Sequence, residues 1–161
     1  VAIILSASGC APWCIGVLRR AKELGAFTIA VVCNERTELS RIAHLTIESL
    51  VGREILTGST RMKAGTAQKL VLNMISTGAM VRAGFTYGNL MVGLTPTNAK
   101  LKDRARRLVR SISGYDEVDD ALEACDWSVR DACIVLLKGL NAADARARIE
   151  ACDGSLRRAL E

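Results

Sequence analysis

"VAIILSASGCAPWCIGVLRRAKELGAFTIAVVCN", residues Val1 to Asn34, reads as strand, tight loop, helix and second strand. The apolar run at its start passes directly into small hydroxyl residues and a glycine. Pro12 then opens an amphipathic stretch, because its fixed φ suits the first helical position and its missing N–H is not needed there. Trp13, Val17, Ala21 and Leu24 recur at helical spacing, and Gly25 stops the run as a C-terminal cap. The segment AFTIAVVCN is a second continuous apolar strand ending at Asn34. Strands that are apolar on both faces and separated by helices belong to a parallel sheet, which places the chain in the α/β class with ligands at the carboxyl ends of its strands.

Working outward, a short polar helix is expected over roughly Thr37 to Ala43 and a third strand over roughly His44 to Ser49. Three strands are few for such a sheet. An edge strand is normally short or charged, and VAIIL is neither, so it reads as an interior strand. The expectation is that further strands precede Val1 or come from another chain. Val1 itself, not a methionine, already stands inside the strand-like run.

After the third strand the pattern changes. From about Ser59 to Ala83 a long helix carries Ala67, Val71, Met74, Gly78 and Val81 at alternating spacings of four and three, a stripe expected to be core or a seam for a partner helix, and Gly84 ends it. TYGNLMVGLTPTN is a glycine-marked connection. AKLKDRARRLVRSIS is a strongly basic helix closed by Gly114. Short helical segments follow over Asp116–Cys125, Ser128–Lys138, Ala142–Ala151 and Ser155–Leu160, with Asp126, Asn141 and Asp153 at or near their starts. These form a small helical subdomain, with the division expected between residues 98 and 99. No longer internal repeat stands out.

Composition narrows the function classes. Half of the 161 residues are apolar and only 4% are aromatic, which favours helices packed on a buried sheet over an all-β sandwich. The net charge of +5 permits an anionic ligand or simply a solvated basic surface. The six cysteines, Cys10, Cys14, Cys33, Cys125, Cys133 and Cys152, contain no CxxC pair and have only His44 to complete a metal site; Cys10 and Cys14 stand one helical turn apart, a spacing that seldom forms a disulfide, and the rest read as small buried hydrophobes in a reducing compartment. No stretch of transmembrane length and no cleavable leader is present in this sequence. The basic run Lys100 to Arg110 lacks interleaved aromatics, which argues against nucleic acid.

Two loops carry phosphate-binding parts. SASGCAP leads from a strand end into a helix start, offering backbone N–H groups, the positive end of the helix dipole and the hydroxyls of Ser6 and Ser8 beside Gly9. GSTRMKAGT, from Gly58, repeats this at the long helix with Ser59, Thr60, Arg61 and Lys63. The dipole contributes only about 0.3 to 1 kcal/mol at each helix, so affinity must come from several hydrogen bonds together.

The segment GREILTGSTRMKAGTAQKLVLNMISTG resembles the signature of the N-acetylmuramic acid 6-phosphate etherase family, shared with the related glucokinase regulatory protein, inside a sugar isomerase (SIS) domain. The resemblance continues through GNLMV, the basic helix and LRRAL, and SASG is similar to the serine loop of SIS domains. It implies the carboxyl-terminal half of that family: strands three to five of a five-stranded sheet, then a tail like a small ubiquitin-associated bundle. The reaction it implies removes the D-lactyl ether from carbon 3 of the muramic acid 6-phosphate sugar. A carboxylate takes the carbon 2 proton, an acid helps lactate leave and water adds, without a metal or organic cofactor. The family's catalytic glutamates belong to its other half, so no catalytic residue is assigned here, and Glu54 matches a structural or ligand-orienting position. Ser6, Ser8, Gly9, Ser59, Thr60 and Lys63 are the expected sugar-phosphate contacts. The resemblance further implies a cytoplasmic homodimer acting in peptidoglycan recycling, with neither nucleic acid nor membrane as partner. Cys10, Ala11 and Arg53 stand where the family usually has arginine, threonine and proline, which removes a cation and a hydroxyl from the serine loop. A non-catalytic sugar-phosphate regulator and a ligand-free structural fragment are the alternatives.

Overall fold

A computed structural model describes residues 1–161. The strands β1 (Ala2–Ser6), β2 (Thr28–Val32) and β3 (Leu45–Glu48) form a parallel sheet in that order, with Leu5 opposite Val31 and Val31 opposite Ile47. Helices α1 (Pro12–Glu23) and α2 (Glu38–Ile42) make the crossovers. The period-two alternation of each strand sends Ile4, Ala30 and Val32 to one face, where they form a core with Ile15 and Leu18 of α1 and Leu39 of α2. Leu18 and Leu39 are fully buried, each contributing about 1.5 to 3 kcal/mol. The α/β reading holds, and β1 pairs in this chain with β2 alone.

The face that α1 buries differs from the expected one. Ile15 and Leu18 point inward, whereas Trp13 is 76% and Leu24 69% exposed. The helix carries two apolar stripes, and spacing alone does not say which one meets the sheet. Helix α3 (Lys63–Arg82) shows the same ambiguity: of the expected stripe only Val71 is buried, and Met74 is 67% exposed. The core half of that reading therefore fails.

By compactness the chain divides into Val1–Ile75 and Ser76–Glu161, a division that falls within α3. The second unit contains a short antiparallel hairpin, β4 (Thr86–Tyr87) and β5 (Leu90–Met91), in the segment read from sequence as a connection. It then runs through α4 (Ala99–Ser113), α5 (Asp119–Ala124), α6 (Val129–Lys138), α7 (Ala142–Ala151) and α8 (Leu156–Leu160). Val92, Leu108, Val109, Val118, Leu122, Ile134 and Leu156 lie in its core. Two cations of α4 are engaged within the unit: Lys102 and Arg106 lie over the Trp127 ring, and Arg106 pairs with Asp119.

A duplicated turn joins these helices, contrary to the expectation of no repeat. Glu123-Ala-Cys-Asp-Trp-Ser-Val-Arg-Asp-Ala132 matches Glu150-Ala-Cys-Asp-Gly-Ser-Leu-Arg-Arg-Ala159 residue for residue at most positions. Their backbones repeat as well. Asp126 N donates to Glu123 O and Ser128 N to Cys125 O, as Asp153 N donates to Glu150 O and Ser155 N to Cys152 O. Asp126 and Asp153 adopt left-handed φ values of 51° and 50°, so they do not cap the following helices. Ser128 and Ser155 do, accepting from Asp131 N and Arg158 N, while Asn141 caps α7 as its position suggests. The aspartates instead pair with Arg146 and Arg158.

Candidate functional site

The residues expected to bind a ligand all lie in the first unit, and Ser6, Ser8 and Gly9 stand at the carboxyl end of β1. After β1 the chain reverses at Gly9, whose N–H donates to Ser6 O at 3.0 Å and to Ser6 Oγ at 3.2 Å. Ser8 Oγ sits 3.5 Å from Ser6 Oγ and accepts from Cys10 N at 3.4 Å. Ser6 is buried and Ser8 exposed, so Ser6 shapes the turn while Ser8 presents its hydroxyl outward. Gly9 is required twice over: its φ is +68°, and a Cβ there would stand 2.3 Å from Thr37 Cβ. Its carbonyl accepts from Leu39 N at 3.1 Å, tying the turn to the start of α2, where Thr37 caps by accepting from Ser40 N.

Helix α1 begins without a side-chain cap, because its N-cap is Ala11. Pro12 at the first position has no N–H, and the N–H groups of the rest of the first turn have no carbonyl within the helix to receive them. This is the anion-attracting arrangement that the sequence leads one to expect, although Ala11 and Cys10 add neither a hydroxyl nor a cation.

The start of α3 is different. Glu54 accepts from Lys63 N and Ala64 N, both at 3.0 Å, so its carboxylate caps the helix. The Ala64 and Lys63 backbone bonds hold its pKa below the ordinary carboxylate value, opposed by desolvation and helped by the Lys63 charge. Glu54 is thus an ionised cap whose oxygens face backbone donors, a poor arrangement for a proton acceptor. Ser59, Thr60, Thr57 and Gly58 line a cavity of about 330 Å³ with Arg53 and Glu54. Lys63 lies on the wall of a separate groove of about 590 Å³, with Arg61 and the apolar Val51, Ile55, Met62 and Leu70. The structure therefore groups Ser59 with Thr60 and lines a different cavity with Lys63. At Gly58 a Cβ would meet nothing within 4 Å, so its φ of +85° is what calls for glycine there.

Cys33, at the end of β2, links the two loops. Its N–H donates to Ala7 O at 3.0 Å in the serine loop, and its thiol lies 3.9 Å from Ala64 O at the start of α3. Asn34 Nδ2 also reaches Ala7 O, at 3.4 Å. Burial, with a smaller effect from the Glu54 charge, pushes the Cys33 thiol up, which leaves it protonated and structural. Sequence reading missed Cys33 and Thr37 as parts that hold the site, and gave Glu54 a structural or ligand-orienting position without its cap partners. Thr37 had a signal, a hydroxyl three residues before Ser40 at a helix start, whereas the partners of Cys33 and Glu54 are set only by strand register and loop path.

No family model matches the chain. Among curated proteins, it is 52% identical over 159 residues to N-acetylmuramic acid 6-phosphate etherase from Enterobacter sp. (strain 638). It is 50% identical to proteins of the same name from Salmonella schwarzengrund (strain CVM19633) and Salmonella typhi. The chain is homologous to these etherases. Each match takes in 98% of the chain, which spans about half, 54%, of the length of the curated relatives. The etherase-like region includes both loops, since the alignment covers nearly every residue. No helix is long and apolar enough to cross a membrane.

Proposed function

We propose that this chain serves as the carboxyl-terminal portion of an N-acetylmuramic acid 6-phosphate etherase and contributes sugar-phosphate contacts to its active site. The observation that carries the reading is the 52% identity through the chain, together with the two loops joined at Cys33. The phosphate is assigned to the serine loop and the uncapped start of α1, where Ser8 and the N–H groups of Gly9 and the first helical turn would surround it. The sugar hydroxyls are assigned to Ser59 and Thr60 in their cavity. Lys63 would reach the ligand from the adjoining groove as a mobile cation.

In the proposed reaction the carbon 2 proton is removed and the carbon 3–oxygen bond to D-lactate breaks. Water then adds to the unsaturated sugar, giving N-acetylglucosamine 6-phosphate. The carboxylates doing this proton transfer are assigned to residues outside this chain, and Glu54 is kept as a cap. The setting is cytoplasmic peptidoglycan recycling, and the exposed apolar residues of α3, Leu70, Leu72 and Met74, favour a homodimer or the rest of the enzyme as its cover.

The test is D-lactate release from N-acetylmuramic acid 6-phosphate by the full-length protein containing this sequence and by the present chain alone. Release by the full-length protein, abolished or reduced at least several-fold by S8A and S59A, supports the reading, and its absence refutes it. The second reading, a regulatory sugar-phosphate module, is favoured by Cys10 and Ala11 in the serine loop. It requires saturable N-acetylglucosamine 6-phosphate binding with no lactate release.

A further inference from the structure

The second unit holds a cavity that the etherase reading does not use. It encloses about 440 Å³ between the end of α3, the β4–β5 hairpin and the start of α8. Three guanidinium-bearing residues line it, Arg82, Arg157 and Arg158, with Thr86, Ser155 and two glycines, Gly84 and Gly88. No carboxylate-bearing residue is among the lining groups. We propose that this cavity is a second anion site, built for the phosphate group of a small phosphorylated ligand.

The backbone that creates it is specific. Gly84, with φ +76°, ends α3 against the Gly154–Ser155 turn so closely that a Cβ would stand 2.6 Å from Gly154 C and O. That approach places Arg82, in the last turn of α3, beside Ser155, Arg157 and Arg158 of the second copy of the duplicated turn. In the first copy, the positions equivalent to Arg157 and Arg158 are Arg130 and Asp131. Arg130 is spent on the backbone, donating to Gly154 O at 3.0 Å, and Asp131 carries a negative charge. The second copy has Arg158 in place of that aspartate, so the same backbone scaffold carries two adjacent cations and faces a third.

No carboxylate pairs with Arg82 or Arg157, which leaves their charge for a ligand, whereas Arg158 is already matched by Asp153. Arg158 donates to Asp153 Oδ2 at 2.9 Å and to Cys152 O, which anchors it at the rim. Arg157 lies over the Tyr87 ring at 5.8 Å, a contact that orients the guanidinium without neutralising it. Like charges gathered around one concave surface repel, and an anion with several acceptor oxygens relieves that repulsion while accepting bidentate bonds. The hydroxyls of Thr86 and Ser155 suit a phosphate or its monoester better than a planar carboxylate, since they supply donors from further directions.

The test titrates the full chain with inorganic phosphate, and separately with phenyl phosphate, at constant ionic strength, following the backbone amide resonances of Gly84, Thr86 and Ser155. Saturable shifts at these amides are expected, with Kd raised about tenfold by R82Q or R157Q, the loss of one charge-assisted pair, and unchanged by R104Q on α4. R157K should give an intermediate value, because it keeps charge and loses the planar fork. The absence of saturation at these amides, or a response equalled by chloride, would overturn the proposal, as would an R82Q/R157Q double variant that binds normally while retaining the native amide spectrum. The result is separable from the etherase reading: amides of the serine loop report the other site, and S8A should leave this binding intact.

Discussion

The starts of α1 and α3 look alike in sequence and differ in electrostatics. Each follows a stretch of glycine and small hydroxyls, and each would be taken for an anion cradle. At α1 the cap position is Ala11 and no side chain fills the helix end; at α3 the carboxylate of Glu54 already occupies it. A helix dipole answered by an internal carboxylate offers little to a second anion. On the proposed function, the comparison separates two duties that composition merges: a place for phosphate at α1, and hydroxyl donors for the rest of a sugar beside α3.

The largest expected effect comes from breaking the α1 side at its turn. Gly9→Ala puts a methyl into Thr37 and forces an L-residue into left-handed backbone, which should lower stability by about 2 to 4 kcal/mol in urea denaturation. Gly58→Ala tests the contrast, because only the backbone term applies there and the loss should be visibly smaller.

Removing the charge at α3 should turn one helix start into the other. Glu54→Gln is expected to weaken protection of the Lys63 and Ala64 amides in hydrogen exchange and to make the α3 start attract phosphate, seen as new shifts at those amides. Because the folded pKa of Glu54 lies below the ordinary value of 4.5, its stabilising contribution is complete above that pH and disappears as pH falls through the lowered value. Glu54→Gln should erase that acid-side segment of the stability profile, and an unchanged profile would mean the carboxylate does not cap the helix in solution.

How much of this was legible from sequence follows the reach of each interaction. Asn141 was readable as a cap, accepting from Asp144 N, and α7 begins and ends where its pattern says, whereas Asp126 and Asp153 stood in sequence near helix starts that Ser128 and Ser155 cap. The parallel sheet was readable because its apolar runs are continuous. Glu54 acts on amides nine and ten residues away along an irregular loop, and no local pattern announces that. The face chosen by α1 was hidden for another reason, since Trp13 and Ile15 are both apolar and only the sheet decides between them. The duplicated turn was present in the letters, but Trp127 in one copy stands where Gly154 stands in the other. Glycine at φ 77° is unremarked, whereas tryptophan at φ 64° needs the packing and the overlying Lys102 and Arg106 to hold it there.

A finer division of labour follows at the hydroxyls. Ser8→Ala should weaken inorganic phosphate binding at the serine loop, in an R82Q/R157Q background, about fivefold, as expected for one hydrogen bond, and leave binding of unphosphorylated N-acetylglucosamine unchanged. Ser59→Ala should do the reverse, and calorimetry with the two ligands distinguishes them. Equal losses for both ligands in both variants would dissolve the distinction between the loops.

The smallest effect is also the most pointed. Ala11→Thr supplies the hydroxyl that the α1 cap lacks, in an extended backbone, φ −66° and ψ 122°, compatible with a capping residue. In the free protein it should raise stability by about 0.5 to 1 kcal/mol, because one N–H of the first turn gains an acceptor. If those N–H groups also receive the phosphate, the gain and the ligand compete for the same donors, unless the hydroxyl rotates to donate to the anion instead. Measured together, a rise in melting temperature with weaker phosphate binding places the anion on the first-turn N–H groups. A rise in both says that the threonine joins the site as a donor, and stabilisation with unchanged affinity would put the phosphate elsewhere in the loop.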